Sequence, residues 1–141
     1  MTTSDTLEII AALVAALKTY AAKLPAVVHL SMVPHGLKPT EEAVQAYEQA
    51  IARFRTQSQK SPYRKLTDPF VESLEAFEAG RLLSAIQPLL LIIDHLEGMH
   101  RDKEIALTPA DEKRIGEYRN ALHKILPGKN PELEGAGRGL A

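Results

Sequence analysis

The most apolar stretch of the chain covers residues 81–100 (RLLSAIQPLLLIIDHLEGMH). Between residues 82 and 93 it leaves no continuous polar face, a pattern typical of a helix surrounded by other protein. Polar residues interrupt the run at Gln87 and end it from Asp94 onward, which leaves too few apolar residues for a membrane span of roughly 20. We predict a central core helix, with a kink or a helix start near Pro88.

Two amphipathic helices are predicted before this stretch. The first runs from about Asp5 to Leu24, because Asp5 and Glu8 have capping-box spacing and Pro25 stops helix continuation. Its many alanines keep this helix thin and permit close approach of a neighbouring helix. The second helix begins at Thr40, a residue type that caps helix N-termini.

Two further helices are predicted from capping signals. The third begins at Asp68 and Pro69, a capping residue followed by the proline favoured at the first helical position. Gly80 either separates it from the central helix or lies within one bent element, and the apolar spacing permits both. The last helix opens at Thr108, with Asp111 at capping-box spacing.

Two segments carry no helical pattern. Residues 26–40 contain a short alternating run, but the chain offers no second strand to pair with it, so we expect a long connection whose apolar residues pack against the helices. Residues 127–141 are rich in Gly and Pro and predict a flexible C-terminal tail.

These elements predict an all-α protein, a single-domain helical bundle of four or five helices at 1–126 followed by the tail. The sequence FEAGR at 77–81, leading to Ala85 and Leu89, resembles the turn and second helix of a tetratricopeptide repeat. That resemblance implies antiparallel packing of the third helix against the central one.

The composition narrows the possible functions. The chain has 141 residues and no Cys, which excludes disulfides, thiolate metal sites and a Cys nucleophile. A formal net charge of −1 gives no global attraction to nucleic acid or to an acidic membrane. The N-terminal MTTSD lacks the positive charge of a signal peptide, so a cytoplasmic location without membrane association is expected.

A candidate metal site lies at the polar end of the central helix. Glu97 and His100 have the Glu-x-x-His spacing that di-metal carboxylate bundles direct inward, and Asp94 lies one turn before Glu97. The motif occurs once, whereas such sites use it twice. These three residues are the candidate ligands of a single metal ion, and a solvated helix end is the alternative.

A candidate catalytic pair lies on the last helix. The sequence RNALH at 119–123 resembles the Arg-Asn…His motif of the HEPN ribonucleases, which are all-helical domains of similar size. The resemblance implies that Arg119 stabilises phosphate charge and that His123 acts as general acid or base. Here three residues separate the two side chains, which is fewer than in that family, and each residue turns a helix by about 100°.

A basic window suggests a nucleic-acid surface. The cations between residues 49 and 67 have no acidic residue among them, and they are Arg53, Arg55, Lys60, Arg64 and Lys65. Phe54 and Tyr63 are interleaved, and such aromatics stack on bases when exposed. Phe54 also fits the buried stripe of the second helix, so a charge-balanced surface is the alternative.

The sequence as a whole favours a small non-enzymatic protein that binds another macromolecule, most simply a protein partner, as an adaptor or regulator. Its helix ends and residues 26–38 are the expected recognition surface. Apolar residues spread over a wide arc of the first helix also suggest a homodimer. No cofactor is expected. Nucleic-acid binding and HEPN-like ribonuclease activity are the alternative functions.

Overall fold

The computed structural model describes residues 1–23 and 38–125, which form five α-helices and, within those ranges, no β-strand. The helices are α1 (Thr3–Ala22), α2 (Glu41–Ser58), α3 (Thr67–Glu78), α4 (Leu82–Arg101) and α5 (Pro109–Ile125). This confirms the predicted all-α bundle. The predicted packing of residues 26–37, the end of the first helix at Leu24 and the tail at 127–141 lie outside the described residues.

The helix α4 is the central element, as predicted. It packs against α3, α5 and α1, and its buried residues are Leu82, Ala85, Ile86, Pro88, Leu89, Ile92, Ile93, Leu96 and Met99. By length and composition α4 is also the one described helix capable of crossing a bilayer. Half of its apolar stretch (50%), however, is buried inside the bundle. Its apolar character on the buried side is accounted for by the core that it forms.

One part of the core prediction was wrong. Residues 82–93 were expected to be core throughout, yet Leu83 is 41% exposed and Leu91 is 48% exposed. The reason is geometric, because the packed neighbours cover only part of the circumference of α4 and these two leucines lie on the remaining arc with Ser84 and Gln87.

Gly80 resolves whether α3 and α4 are continuous. It has a φ of +74°, and the Arg81 and Gly80 amides donate to the carbonyls of Ala76 and Phe77 at 2.9 and 3.0 Å. This is the Schellman pattern that terminates helices. The two helices are therefore separate, and α4 begins at Leu82 and continues through Pro88.

The helix N-termini test the predicted caps. Thr40 caps α2 by accepting a hydrogen bond from the Ala43 amide at 3.1 Å, and Thr108 and Asp111 form the predicted reciprocal box at α5. The start of α1 was predicted wrongly, because Thr2 is the cap and Asp5 is its partner three residues later. The hydrogen bonds from Thr2 lower the pKa of the Asp5 carboxyl.

The start of α3 also differs from the prediction. A 3-10 turn at Pro62–Leu66 runs directly into α3, so the helix starts at Thr67 without a side-chain cap. Ser61 caps the 3-10 turn instead, accepting a hydrogen bond from the Tyr63 amide at 3.3 Å. Buried Tyr63 and Leu66 anchor the turn in the core, and tertiary packing thereby fixes the helix start.

Aromatic side chains join α2 to α3 in the interior. Tyr47 stacks on Phe77 with a distance of 4.3 Å between ring centroids, and the ring centroids of Phe54 and Phe70 lie 4.4 Å apart. All four rings are almost completely buried. They belong to one core cluster to which each of the five helices contributes.

Candidate functional site

The polar end of α4 forms an ionic cluster with α5. The Arg119 guanidinium donates two hydrogen bonds to the Glu97 carboxylate, Nη2 to Oε1 at 2.6 Å and Nη1 to Oε2 at 3.2 Å. Nη2 also lies 3.0 Å from Asp94 Oδ1. This fork-to-fork geometry is the arrangement in which an Arg holds a carboxylate most firmly.

The helical repeat explains why these groups meet. Asp94 and Glu97 are three residues apart and lie on one side of α4, facing the side of α5 that carries Arg119. Hydrogen bonding to the Glu97 carboxylate, which favours the charged guanidinium, is the main reason why the pKa of Arg119 is raised. The cluster therefore unites two carboxylates of the candidate metal site with the arginine of the candidate ribonuclease motif.

The third candidate metal ligand points elsewhere. Nδ1 of His100 accepts a hydrogen bond from the Leu107 backbone amide at 3.2 Å, which fixes the connection between α4 and α5. Among the described residues, no group of three or more His, Asp or Glu side chains is arranged to hold a metal ion. Metal binding by Asp94, Glu97 and His100 remains a sequence-based prediction.

The candidate ribonuclease pair lies on α5. His123 is exposed and follows Arg119 by four residues, about one helical turn. The Arg119 side chain is only 28% exposed and directs its guanidinium at Asp94 and Glu97. Three hydrogen bonds of the guanidinium go to these two carboxylates, so a phosphate would compete with them for Arg119.

The five cations of the basic window are all exposed, but the interleaved aromatics are not. Phe54 and Tyr63 are buried in the core and offer no ring face for base stacking. Arg53 and Arg55 lie about 200° apart around α2, on either side of buried Phe54. The cations of α2 are thus divided between two sides of the helix.

One cation of the basic window, Lys65, has an intramolecular partner. Its Nζ lies 2.5 Å from Oε1 of Glu104, a residue just after the end of α4. Arg64 and Lys60 are exposed. Binding of nucleic acid by this window stays a prediction, resting on charge without the aromatic contribution.

The structure also reveals a groove between α1 and α2 that the sequence-based site predictions missed. Its volume is about 480 Å³. Four alanines from the two helices line it, namely Ala15, Ala16, Ala43 and Ala46, and the exposed Lys23 and Lys38 lie along it. The alanine content of the first helix was the available signal, because short side chains leave room between neighbouring helices.

Comparison with known proteins finds no matching family model, no matching curated protein and no matching solved structure.

Proposed function

We propose that this protein is non-enzymatic and acts by binding another protein, as an adaptor or regulator. The observation that carries the proposal is the groove between α1 and α2. Its volume falls within the range of roughly 300–1,000 Å³ typical of ligand sites, and its lining is mainly apolar.

The chemistry of the groove favours a helical segment as the ligand. Alanines such as Ala15 and Ala46 let a backbone approach closely, and an amphipathic helix laid into a groove is a recurring mode of protein recognition. Lys23 and Lys38 complement acidic residues at the edge of such a helix, which increases specificity and the association rate.

The positions of two candidate site residues, the catalytic candidate Arg119 and the metal-ligand candidate His100, also support a binding role. Arg119 is bonded to two carboxylates, and His100 bonds the backbone. Neither side chain is directed at a substrate-sized cavity in the part of the chain that the structure describes. Both residues fasten α4 to the elements that follow it.

The test is affinity purification from the native host with a groove variant and a matched control. Ala15→Glu/Ala46→Glu places two carboxylates in the groove, whereas Ala12→Glu/Ala52→Glu places them on exposed positions of the same two helices outside the described lining. Ala and Glu are both good helix formers, so both variants should fold. Circular dichroism checks this.

We expect one or more proteins to bind the native chain and the control but not the groove variant. The same difference should appear when the purified partner is titrated with each form. Equal capture of the partner by all three forms would contradict the proposal that the groove is the binding site. Recovery of RNA or DNA that dissociates between low and moderate salt would favour the nucleic-acid alternative.

A further inference from the structure

The exposed face of α4 carries an apolar surface. Among the described residues, Leu83 and Leu91 are the large hydrophobic side chains that remain exposed. They are eight residues apart on one helix, which separates them by about 12 Å along the axis and about 80° around it. A single exposed leucine is ordinary in soluble proteins. Two on the same face of the most apolar helix form a surface that can be covered.

We propose that this face binds the same face of a second copy of the chain. The two α4 helices pack antiparallel across a two-fold axis that passes near Gln87. In a two-fold interface each contact occurs twice, so the surface must be complementary to itself. The order of residues along α4 meets this requirement.

The positions of the two exposed leucines fit a two-fold axis. Gln87 lies midway between Leu83 and Leu91 in the sequence. A two-fold axis at this position therefore places Leu83 of each copy against Leu91 of the other. All four leucines then leave water together, which supplies the apolar centre of the interface.

The polar residues on the face fit the same arrangement. The amide of Gln87 has both donors and an acceptor, so two symmetry-related amides can bond to each other across the axis. Arg81, exposed at the N-terminal end, lies near Asp94 of the second copy, whose helix runs in the opposite direction. Asp94 bonds Arg119 through Oδ1, yet its side chain is 68% exposed and accessible to a second cation.

The size of the face sets the strength of the dimer. The 20 residues of α4 span about 30 Å, and pairing along one helix face lies at the small end of specific interfaces, near 1,000 Å² in total. We therefore expect a reversible dimer that dissociates on dilution.

This inference is independent of the proposed function, because the groove lies on α1 and α2. The groove variant Ala15→Glu/Ala46→Glu should dimerise normally, and a variant of α4 should retain the groove. Failure of one proposal thus leaves the other standing.

The first experiment measures dimerisation by sedimentation equilibrium on the full chain, between roughly 1 µM and 1 mM. The native protein should shift from monomer to dimer across this range. Leu83→Glu/Leu91→Glu should raise the dissociation constant by about 100-fold or more, since it places four carboxylates in the interface centre. Ala12→Glu/Ala52→Glu, which adds the same charge elsewhere, should dimerise like the native protein.

The second experiment fixes the register. The native chain has no Cys, so a single introduced thiol reports one position. Gln87→Cys should form a disulfide-linked dimer on oxidation, because residues near the axis meet their own symmetry mates within about 7 Å. Leu83→Cys and Leu91→Cys should cross-link efficiently when mixed and poorly when alone, and Ala52→Cys should not cross-link.

Three results overturn the proposal. One is a native protein that stays monomeric up to 1 mM, roughly the limit of weak specific association. Another is a dimer that survives Leu83→Glu/Leu91→Glu and does not cross-link at Gln87→Cys, which would locate the interface elsewhere. The third is a monomer that loses binding of a different protein in the leucine variant, which would assign the face to that partner.

Discussion

The hydroxyl of Tyr47 on α2 lies 2.5 Å from Oγ of Ser73 on α3, in the interior of the bundle. Ser73 Oγ also lies 2.7 Å from the carbonyl oxygen of Ala85 on α4. A carbonyl only accepts, so Ser73 donates its one proton to Ala85 and Tyr47 donates to Ser73. These two hydrogen bonds connect three helices through buried polar atoms.

This order of donors predicts unequal effects of mutation. Tyr47→Phe removes one donor and should lower the free energy of unfolding by about 1 kcal/mol. Ser73→Ala leaves the buried Tyr47 hydroxyl without an acceptor and should cost about 2–3 kcal/mol. Urea denaturation measures both. The double variant should cost less than the sum, and strict additivity would show that the two groups are not coupled.

Stability should fall at alkaline pH because of the same tyrosine. Burial is the main cause that raises the pKa of Tyr47 in the folded state, and burial also raises the pKa of Tyr20. A raised pKa means that the folded protein retains protons that the unfolded chain releases. The contribution of these protonated tyrosines to the free energy of unfolding is complete below about pH 10, the usual tyrosine pKa, and declines above it. Urea titrations from pH 8 upward should show a smaller decline in Tyr47→Phe than in the native protein.

Ser58 at the end of α2 offers a stabilising substitution. Its Oγ is buried and, among the described residues, has no hydrogen-bond partner. Ser58→Ala removes a desolvated polar atom and should raise the free energy of unfolding by about 1 kcal/mol. Ser61→Ala is the matched control, because its Oγ bonds the Ser58 carbonyl and the Tyr63 amide. The control should be destabilised. Equal effects of the two substitutions would refute the claim that the Ser58 hydroxyl, unlike that of Ser61, costs stability.

Lys103 offers a second stabilising substitution. It has a φ of +63° and ends α4 in the left-handed conformation, with its amide donating to the His100 carbonyl at 3.0 Å. Glycine adopts this conformation without the steric cost of a Cβ, so Lys103→Gly should stabilise by about 0.5–1 kcal/mol in thermal or urea unfolding. The reverse test is Gly80→Ala, whose new Cβ would lie 3.1 Å from Lys38 Cγ. It should destabilise, and stabilisation there would contradict the strain argument.

The ionic cluster between α4 and α5 should respond to salt. Glu97 makes two hydrogen bonds to Arg119 and Asp94 makes one. Glu97→Gln should therefore cost more than Asp94→Asn, with both near or below about 1 kcal/mol because the groups are partly exposed. Urea titrations at low and at high salt measure the difference, which should shrink as salt screens the charges. Equal costs at all salt concentrations would argue against the bidentate pair.

The polar end of α4 shows how far local sequence leads to a site. The spacing of Asp94 and Glu97 correctly placed both carboxylates on one side of the helix. It gave no indication that Arg119 would lie opposite them, since the two helices meet only through the packing of the bundle. Two carboxylates of one candidate site and the arginine of another therefore form one interhelical ion cluster, without His100 or His123.

The sequence by itself determined which segments are helical and where two of the helices begin, because apolar periodicity and capping act within a few residues. Thr40 and the Thr108–Asp111 box marked two helix starts, and the run at 81–100 identified the central helix. Only the tertiary structure decided that Tyr63 is buried, that the alanines of α1 and α2 line a groove, and that Leu83 and Leu91 face outward. The physical reason is that burial depends on which neighbours cover a helix, and those neighbours come from distant parts of the chain.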